Sequence, residues 1–136
     1  MCIQIRQIKA EQTWQLRHTV MWPHKAIDYI KLPHDETGVH FGLFKTNALI
    51  AVISLFKEKD AIQFRKLATK TSEQGKGYGS MLVTHSIAYA KEKGVSRLWC
   101  NARTDKLGFY QKFNLHPTSI KFAKDAITYV IVDRVF

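Results

Sequence analysis

The sequence predicts a single mixed α/β domain. Three observations carry that reading. Short runs of alternating or β-branched residues recur along the chain. One amphipathic helical stretch lies between two of them. And 136 residues is the size of one ordinary domain. A chain this long can bury roughly two thirds of its unfolded surface, enough for a core without staples. The hydrophobic fraction of 46%, with 8 Phe, 5 Tyr and 3 Trp, excludes a disordered chain.

The elements follow in order. Ile3–Ile8 begins with Ile/Gln alternation and reads as a first strand. Ala10–Met21 carries Trp14, Leu16, Val20 and Met21 at helical spacings, and Pro23 closes it. Residues 23–38, punctuated by two prolines and a glycine, read as a long loop with a short helix inside it. Long ordered loops in compact domains are often functional. His40–Phe44 and Leu49–Phe56 flank Lys45-Thr46-Asn47 as a hairpin. The second arm is apolar on both parities, which predicts a central strand buried on both faces. Ala61–Thr69 follows as another strand, with Ile62 and Phe64 alternating with Gln63 and Arg65. Ser80–Lys93 places Val83, Ile87 and Ala90 on one helical face, and Gly94 fits the C-terminal turn. A short strand over Arg97–Asn101, a short helix over Lys106–Phe113 and a β-branched last strand over Ala126–Val132 complete the order. The order read is β-α-(loop/α)-β-β-β-α-β-α-β-β, with no bounds assigned to its penultimate strand. No linker or repeat divides residues 1–136, so one domain is expected.

The segment 67–80 carries the chemistry. A strand ends, a loop presents Gly75, Gly77 and Gly79, and a helix begins. Backbone N–H groups at a helix N-terminus have no intrahelical partner, so together with the macrodipole they form an anion site. Glycine lets a phosphate approach the main chain, and Lys76 adds a cation. The spacing does not fit the Walker A pattern, nor the Gly-x-Gly-x-x-Gly dinucleotide fingerprint.

Gln74-Gly75-Lys76-Gly77-Tyr78-Gly79 matches the [Gln/Arg]-x-x-Gly-x-[Gly/Ala] signature, and by it the chain resembles the GCN5-related N-acetyltransferases (GNAT). The resemblance covers nearly the whole chain, through Leu67-Ala68-Thr69 before the loop and Tyr110 in the later helix. It implies the GNAT fold, a mixed, mostly antiparallel sheet with splayed central strands and flanking helices. It also implies acetyl-CoA as cosubstrate. Main-chain groups of Leu67, Ala68 and Thr69 would pair with the pantetheine arm. Amides of Gln74, Gly75, Lys76, Gly77, Tyr78, Gly79 and Ser80 would hold the pyrophosphate. Tyr110 would be the catalytic proton donor to the leaving thiolate. Two departures stand out: Arg103 occupies the place of a frequent family Asn, and Asn114-Leu115 replaces the usual Gly-Phe after the tyrosine helix. Asn tolerates the left-handed turn, so the second departure is compatible with the fold.

Acyl transfer from a thioester to an amine needs a neutral amine, an oxyanion donor and a proton for the thiolate. The base is left open among His40, Glu36, Asp35 and His116. His40 reads better as a satisfied polar residue on the sheet. Cys100 reads as a small buried residue rather than a nucleophile. Six scattered His and two Cys offer no metal spacing.

The net charge of +10 favours anionic partners. Its dispersal along the chain favours CoA phosphates and general solubility, and makes nucleic acid an unlikely partner. It also argues against polycationic acceptors. The acceptor is expected to be a small-molecule or protein amine. The alternative is a non-catalytic acyl-CoA sensor or nucleic-acid-binding module on the same scaffold. The longest apolar run, Ala48–Phe56, is too short for a membrane span and is interrupted by Ser54. Met1–Arg6 lacks signal-peptide features, and the cytoplasm is the expected compartment. Pairing through an exposed strand at 126–132 would allow a homodimer.

Overall fold

The computed structural model describes residues 2–136. Seven strands form one sheet: β1 (Ile3–Ile8), β2 (Val39–Lys45), β3 (Ala48–Glu58), β4 (Ala61–Thr69), β5 (Arg97–Arg103), β6 (His116–Lys124) and β7 (Ile127–Val135). The helices are α1 (Glu11–Leu16), α2 (Tyr78–Glu92) and α3 (Leu107–Gln111). Strand order is β1-β2-β3-β4-β5-β7-β6. All pairings are antiparallel except β4 with β5, which α2 connects as the expected crossover.

Local chemistry explains the elements. The β2–β3 turn places Thr46 at φ 48° and Asn47 at φ 68°. Two successive left-handed residues make a two-residue hairpin turn whose twist matches the strands. β3 is buried continuously from Ile50 to Leu55, as its apolar run predicts. Gly94, just past α2, sits at φ 73° and Asn114 at φ 59°, both in the left-handed turns their residue types favour.

The core lies between α2 and one face of the sheet. Leu82, Val83, Ile87 and Ala90 pack against Phe41, Leu43, Leu55, Ile62 and Phe64, all in one buried cluster. Fully burying each Leu, Val, Ile or Phe contributes roughly 1.5–3 kcal/mol. On the other face, Leu16 of α1 packs against Val52 and Ala68.

A bulge in β4 shapes the site. Ser54 pairs with Arg65 and Val52 with Ala68, so Lys66 and Leu67 stand opposite the single residue Ile53. Lys66 takes up the extra length at φ 56°. A bulge bends its strand and increases the local twist. Accordingly β4 pairs with β5 only over Ala61–Gln63 and Arg97–Trp99, and the two strands separate beyond. The splay that the resemblance implies is therefore present.

Four expectations are corrected. The stretch 10–21 is not one α-helix: α1 ends at Leu16, and a wider π-helical turn, Arg17–Met21, follows. The long loop holds two short 3-10 turns, Ile27–Ile30 and Asp35–Thr37. The early helix of the glycine segment starts at Tyr78 rather than Ser80, because the chain turns helical directly after Gly77. Strand 126–132 is not an edge: β7 is hydrogen-bonded to β5 on one side and β6 on the other. The sheet edges are β1 and β6, so a dimer cannot form by strand addition at β7.

Candidate active site

Two cavities share β4 as a wall. The first, of about 490 Å³, is lined by Leu67, Ala68 and Thr69 of β4, by Gln74, Gly75 and Gly77 of the loop, and by Tyr78, Gly79 and Ser80 of α2. Nine of the predicted cofactor-binding residues are thus brought together. Val20, Glu73, Phe109 and Lys112 complete the lining. No local motif marks Val20, which arrives from a distant part of the chain, whereas Phe109 and Lys112 belong to the helical segment that carries Tyr110.

The loop is built to present donors. Gly75 and Gly77 have φ of 77° and 87°, and a Cβ at either would meet nothing within 4 Å. Glycine is required there by backbone conformation rather than by crowding. The first helical hydrogen bond runs from the Met81 N–H to the Gly77 carbonyl at 3.1 Å. The N–H groups of Tyr78, Gly79 and Ser80 therefore have no helical acceptor, and no side chain caps the turn. The Gln74 side-chain amide donates to the Thr69 carbonyl at 3.0 Å and ties the loop to the end of β4. A Cβ on Gly79 would lie 3.8 Å from both Leu67 Cδ2 and Thr69 Oγ1, which shows how closely α2 approaches that strand. Such an array can receive a phosphate group, with Lys112 as a nearby cation.

Lys76 departs from the expected role. Its ammonium turns to Glu73 at 3.2 Å, and Lys45 binds the same carboxylate at 3.1 Å. Hydrogen bonds from Lys45 and then Lys76 hold the Glu73 carboxyl below the usual carboxylate range. Tyr78 is nearly buried and belongs to the core cluster, so what it offers the cleft is chiefly main chain.

Tyr110 lies on α3 between the cleft residues Phe109 and Lys112, and it does not itself line the cleft. Its ring packs near Phe64 and Phe109, with centroids 6.2 and 5.1 Å away. Its hydroxyl is directed to the buried Cys100 of β5. Burial, then the neighbouring Cys100, pushes the phenol well above its usual value. Burial likewise raises the Cys100 thiol to about 12, against a smaller lowering by the Tyr110 hydrogen bond. Cys100 is thus a protonated, unreactive thiol at neutral pH.

The second cavity, of about 400 Å³, lies between the loop 32–37 and the strands around it, and includes Phe56, Gln63, Arg65 and Trp99. A buried ion pair fixes its loop wall. Arg17 is fully buried, donating through Nη1 to Asp35 Oδ2 at 2.8 Å and through Nη2 to Asp35 Oδ1 at 2.9 Å. Nη2 also donates to Ser54 Oγ at 2.8 Å, and Nη1 to the Ile30 carbonyl at 3.2 Å. Asp35 further accepts from Trp14 Nε1 and the Leu32 N–H. Burial alone would raise the Asp35 carboxyl, but the Arg17 and Leu32 hydrogen bonds outweigh it and hold the group below the ordinary range.

These bonds bear on the candidate bases. Both ring nitrogens of buried His40 are within hydrogen-bond distance of partners, Ser54 Oγ at 2.7 Å and the Asp35 carbonyl at 2.8 Å. Asp35 and His40 are therefore committed to the loop. Glu36 and His116 are exposed. Arg103 is exposed and pairs with Asp105 at 3.3 Å. Among the described residues no group of three or more His, Cys, Asp or Glu side chains gathers as a metal site. Among the described residues no helix is long and apolar enough to cross a membrane.

A splayed mixed sheet with a donor-lined cleft at the strand–helix junction defines the acetyltransferase class. The chain belongs to the acetyltransferase (GNAT) family, whose model matches residues 7–115, and it is an N-acetyltransferase. It is 32% identical over 119 residues to the uncharacterized N-acetyltransferase YitI of Bacillus subtilis (strain 168), covering 81% of this chain and 80% of that protein. Its fold is similar to a crystal structure assigned as an N-acetyltransferase from Lactobacillus plantarum, with a TM-score of 0.87, 17% identity and 99% coverage of both chains. It is also similar to the paia N-acetyltransferase of Thermoplasma acidophilum in complex with coenzyme A, with a TM-score of 0.74, 16% identity and full coverage of both.

Proposed function

We propose that the protein moves an acetyl group from acetyl-CoA to a primary amine of a small-molecule or protein acceptor. The observation that carries this reading is the junction of β4 and α2. Unpartnered N–H groups, glycines with positive φ and an open strand edge converge there on one cleft.

The residues present fit the cosubstrate. The amides of the loop and first helical turn, from Gly75 to Ser80, would bind its pyrophosphate, with Lys112 adding charge. The main chain of Leu67, Ala68 and Thr69, on the side released from β5, would pair with the pantetheine arm as an added strand. Lys76 would contribute only by leaving Glu73. A main-chain N–H at the β4 bulge would stabilise the oxyanion of the tetrahedral intermediate.

Tyr110 would protonate the departing thiolate if its hydroxyl turned from Cys100 toward the neighbouring cleft lined by Phe109 and Lys112. Burial favours the neutral phenol, so the proton stays on Tyr110 across the physiological range. The acceptor amine must lose a proton, and Asp35 and His40, bonded within the loop, are not free to take it. A family relative bound to coenzyme A supports the cosubstrate. An amine-library screen that detects released thiol tests the reading. Acetyl-CoA-dependent thiol release with any primary amine supports it. Cofactor binding without turnover across the library would favour a sensor instead.

A further inference from the structure

We infer that the acceptor bears an anionic group, a carboxylate or a phosphate, close to the amine that is acetylated, and that Arg65 reads it. The inference rests on the acetyltransferase reading above and names the substrate class of the same site.

The geometry begins with β4. Gln63 and Arg65 line the second cavity, while Leu67, Ala68 and Thr69 line the cofactor cleft. The bulge at Lys66 is where one strand passes from the first wall to the other. An acceptor in the second cavity would therefore meet the acyl carbon close to this bulge, and Arg65 stands beside it.

Arg65 is exposed, and among the described residues its guanidinium makes no hydrogen bond or ion pair and stacks on no aromatic ring, so it is free to take a ligand. The nearby carboxylate, Asp35, is already held by Arg17 with both oxygens, so that pair is neutral as a unit. Of the other charged residues on the cavity wall, Glu58 shares Arg65's side of the β3–β4 pair, whereas Lys57 and Lys93 stand on the α2 side. Next to Arg65, burial first, then repulsion from Arg65, Arg17 and Lys124, lowers the Lys66 ammonium.

A guanidinium fork matches a carboxylate or phosphate in two parallel hydrogen bonds. An acceptor with amine and anion in one molecule would be held by its anion at Arg65. Arg65, with Lys66 next to it, would disfavour its ammonium form and help deliver the neutral amine. A neutral or polycationic amine would gain nothing from this wall.

The test has two arms. The first measures acetylation of matched pairs: glycine against glycinamide, glutamate against its diamide, and O-phosphoethanolamine against ethanolamine. The acidic member should be preferred by about 10-fold or more in kcat/KM, carried mainly by KM. The carboxylate and phosphate pairs show which anion is taken. Arg65→Gln should bring the ratio close to one, while the thermal shift given by acetyl-CoA is unchanged. Arg65→Lys should restore part of the preference. The second arm needs no turnover. Inorganic phosphate and acetate are titrated against the tryptophan emission of the free protein, since Trp99 lines the cavity. Saturable quenching that weakens about 10-fold or more in Arg65→Gln is expected. Neutral members acetylated as well as acidic ones, or anion binding indifferent to Arg65→Gln, would overturn the inference and leave the acetyltransferase reading standing. Anion binding at Arg65 with no acetylation of any amine would overturn the acetyltransferase reading instead.

Discussion

Replacing Arg17 with Met should be the most damaging single change outside the hydrophobic core. The substitution keeps much of the side-chain volume and removes four hydrogen bonds, two to Asp35, one to Ser54 and one to the Ile30 carbonyl. Asp35 would remain a charge at 4% exposure, held only by Trp14 and the Leu32 N–H. Breaking a buried pair from one side typically costs about 3–5 kcal/mol. For a domain of this size that corresponds to roughly 10–20 °C in Tm. The double variant Arg17→Met/Asp35→Leu should lose less than the sum of the singles, because no stranded charge remains. The pH dependence has a definite sign. In the wild type the Asp35 carboxyl is depressed, so its contribution is present above about pH 4 and is lost as pH falls through the lower native value. In Arg17→Met only burial acts strongly, the carboxyl rises, and protonation relieves the strain. Thermal melts at pH 7 and pH 5 should therefore show the gap between wild type and variant narrowing on acidification. A loss below about 1 kcal/mol at pH 7, or a gap that does not change with pH, would refute the reasoning.

Tyr110→Phe keeps the ring packing against Phe64 and Phe109 and deletes the hydroxyl, so kcat should fall about 10²- to 10⁴-fold with acetyl-CoA affinity nearly intact. A wild-type rate between pH 6 and 9 would make Tyr110 structural. Because its phenol is raised, the wild-type kcat should show no alkaline fall from Tyr110 ionisation up to about pH 10. Iodoacetamide at pH 8 should alkylate the exposed Cys2 and spare Cys100, whose thiol is raised to about 12; two adducts by mass spectrometry in the folded protein would contradict that burial. Binding to a mixed tRNA pool should be no tighter than about 10⁻⁶ M at physiological salt, and a submicromolar, steeply salt-dependent complex in fluorescence anisotropy would move RNA-linked amines to the head of the acceptor candidates.

The parts of the site legible in the sequence are those whose chemistry is local. Gly75 and Gly77 signal a backbone conformation that other residues reach only with strain, and both hold positive φ. β3 is legible because a continuous apolar run has few alternatives to a strand buried on both faces. β6 is mostly exposed and polar, so no period marks its bounds. Arg17 is invisible for a different reason. An arginine within an amphipathic segment ordinarily faces solvent, and only the distant Asp35 and Ser54 convert it into a buried anchor. The bulge at Lys66 is hidden similarly, since a lysine does not announce positive φ. That bulge separates the two cavities, so the acceptor side of the site was the less legible half.

Thermal unfolding with and without acetyl-CoA tests the central claim most directly. The cleft formed by β4, the glycine loop and the first turn of α2 should bind it only in the folded state. At a ligand concentration 100 times the dissociation constant the stabilisation should be about 2.7 kcal/mol, a rise of roughly 10 °C in Tm. Gly77→Glu places a bulky carboxylate at φ 87° beside the phosphate donors and should abolish the shift. No shift of the wild type at millimolar acetyl-CoA, or an equal shift in Gly77→Glu, would contradict the account.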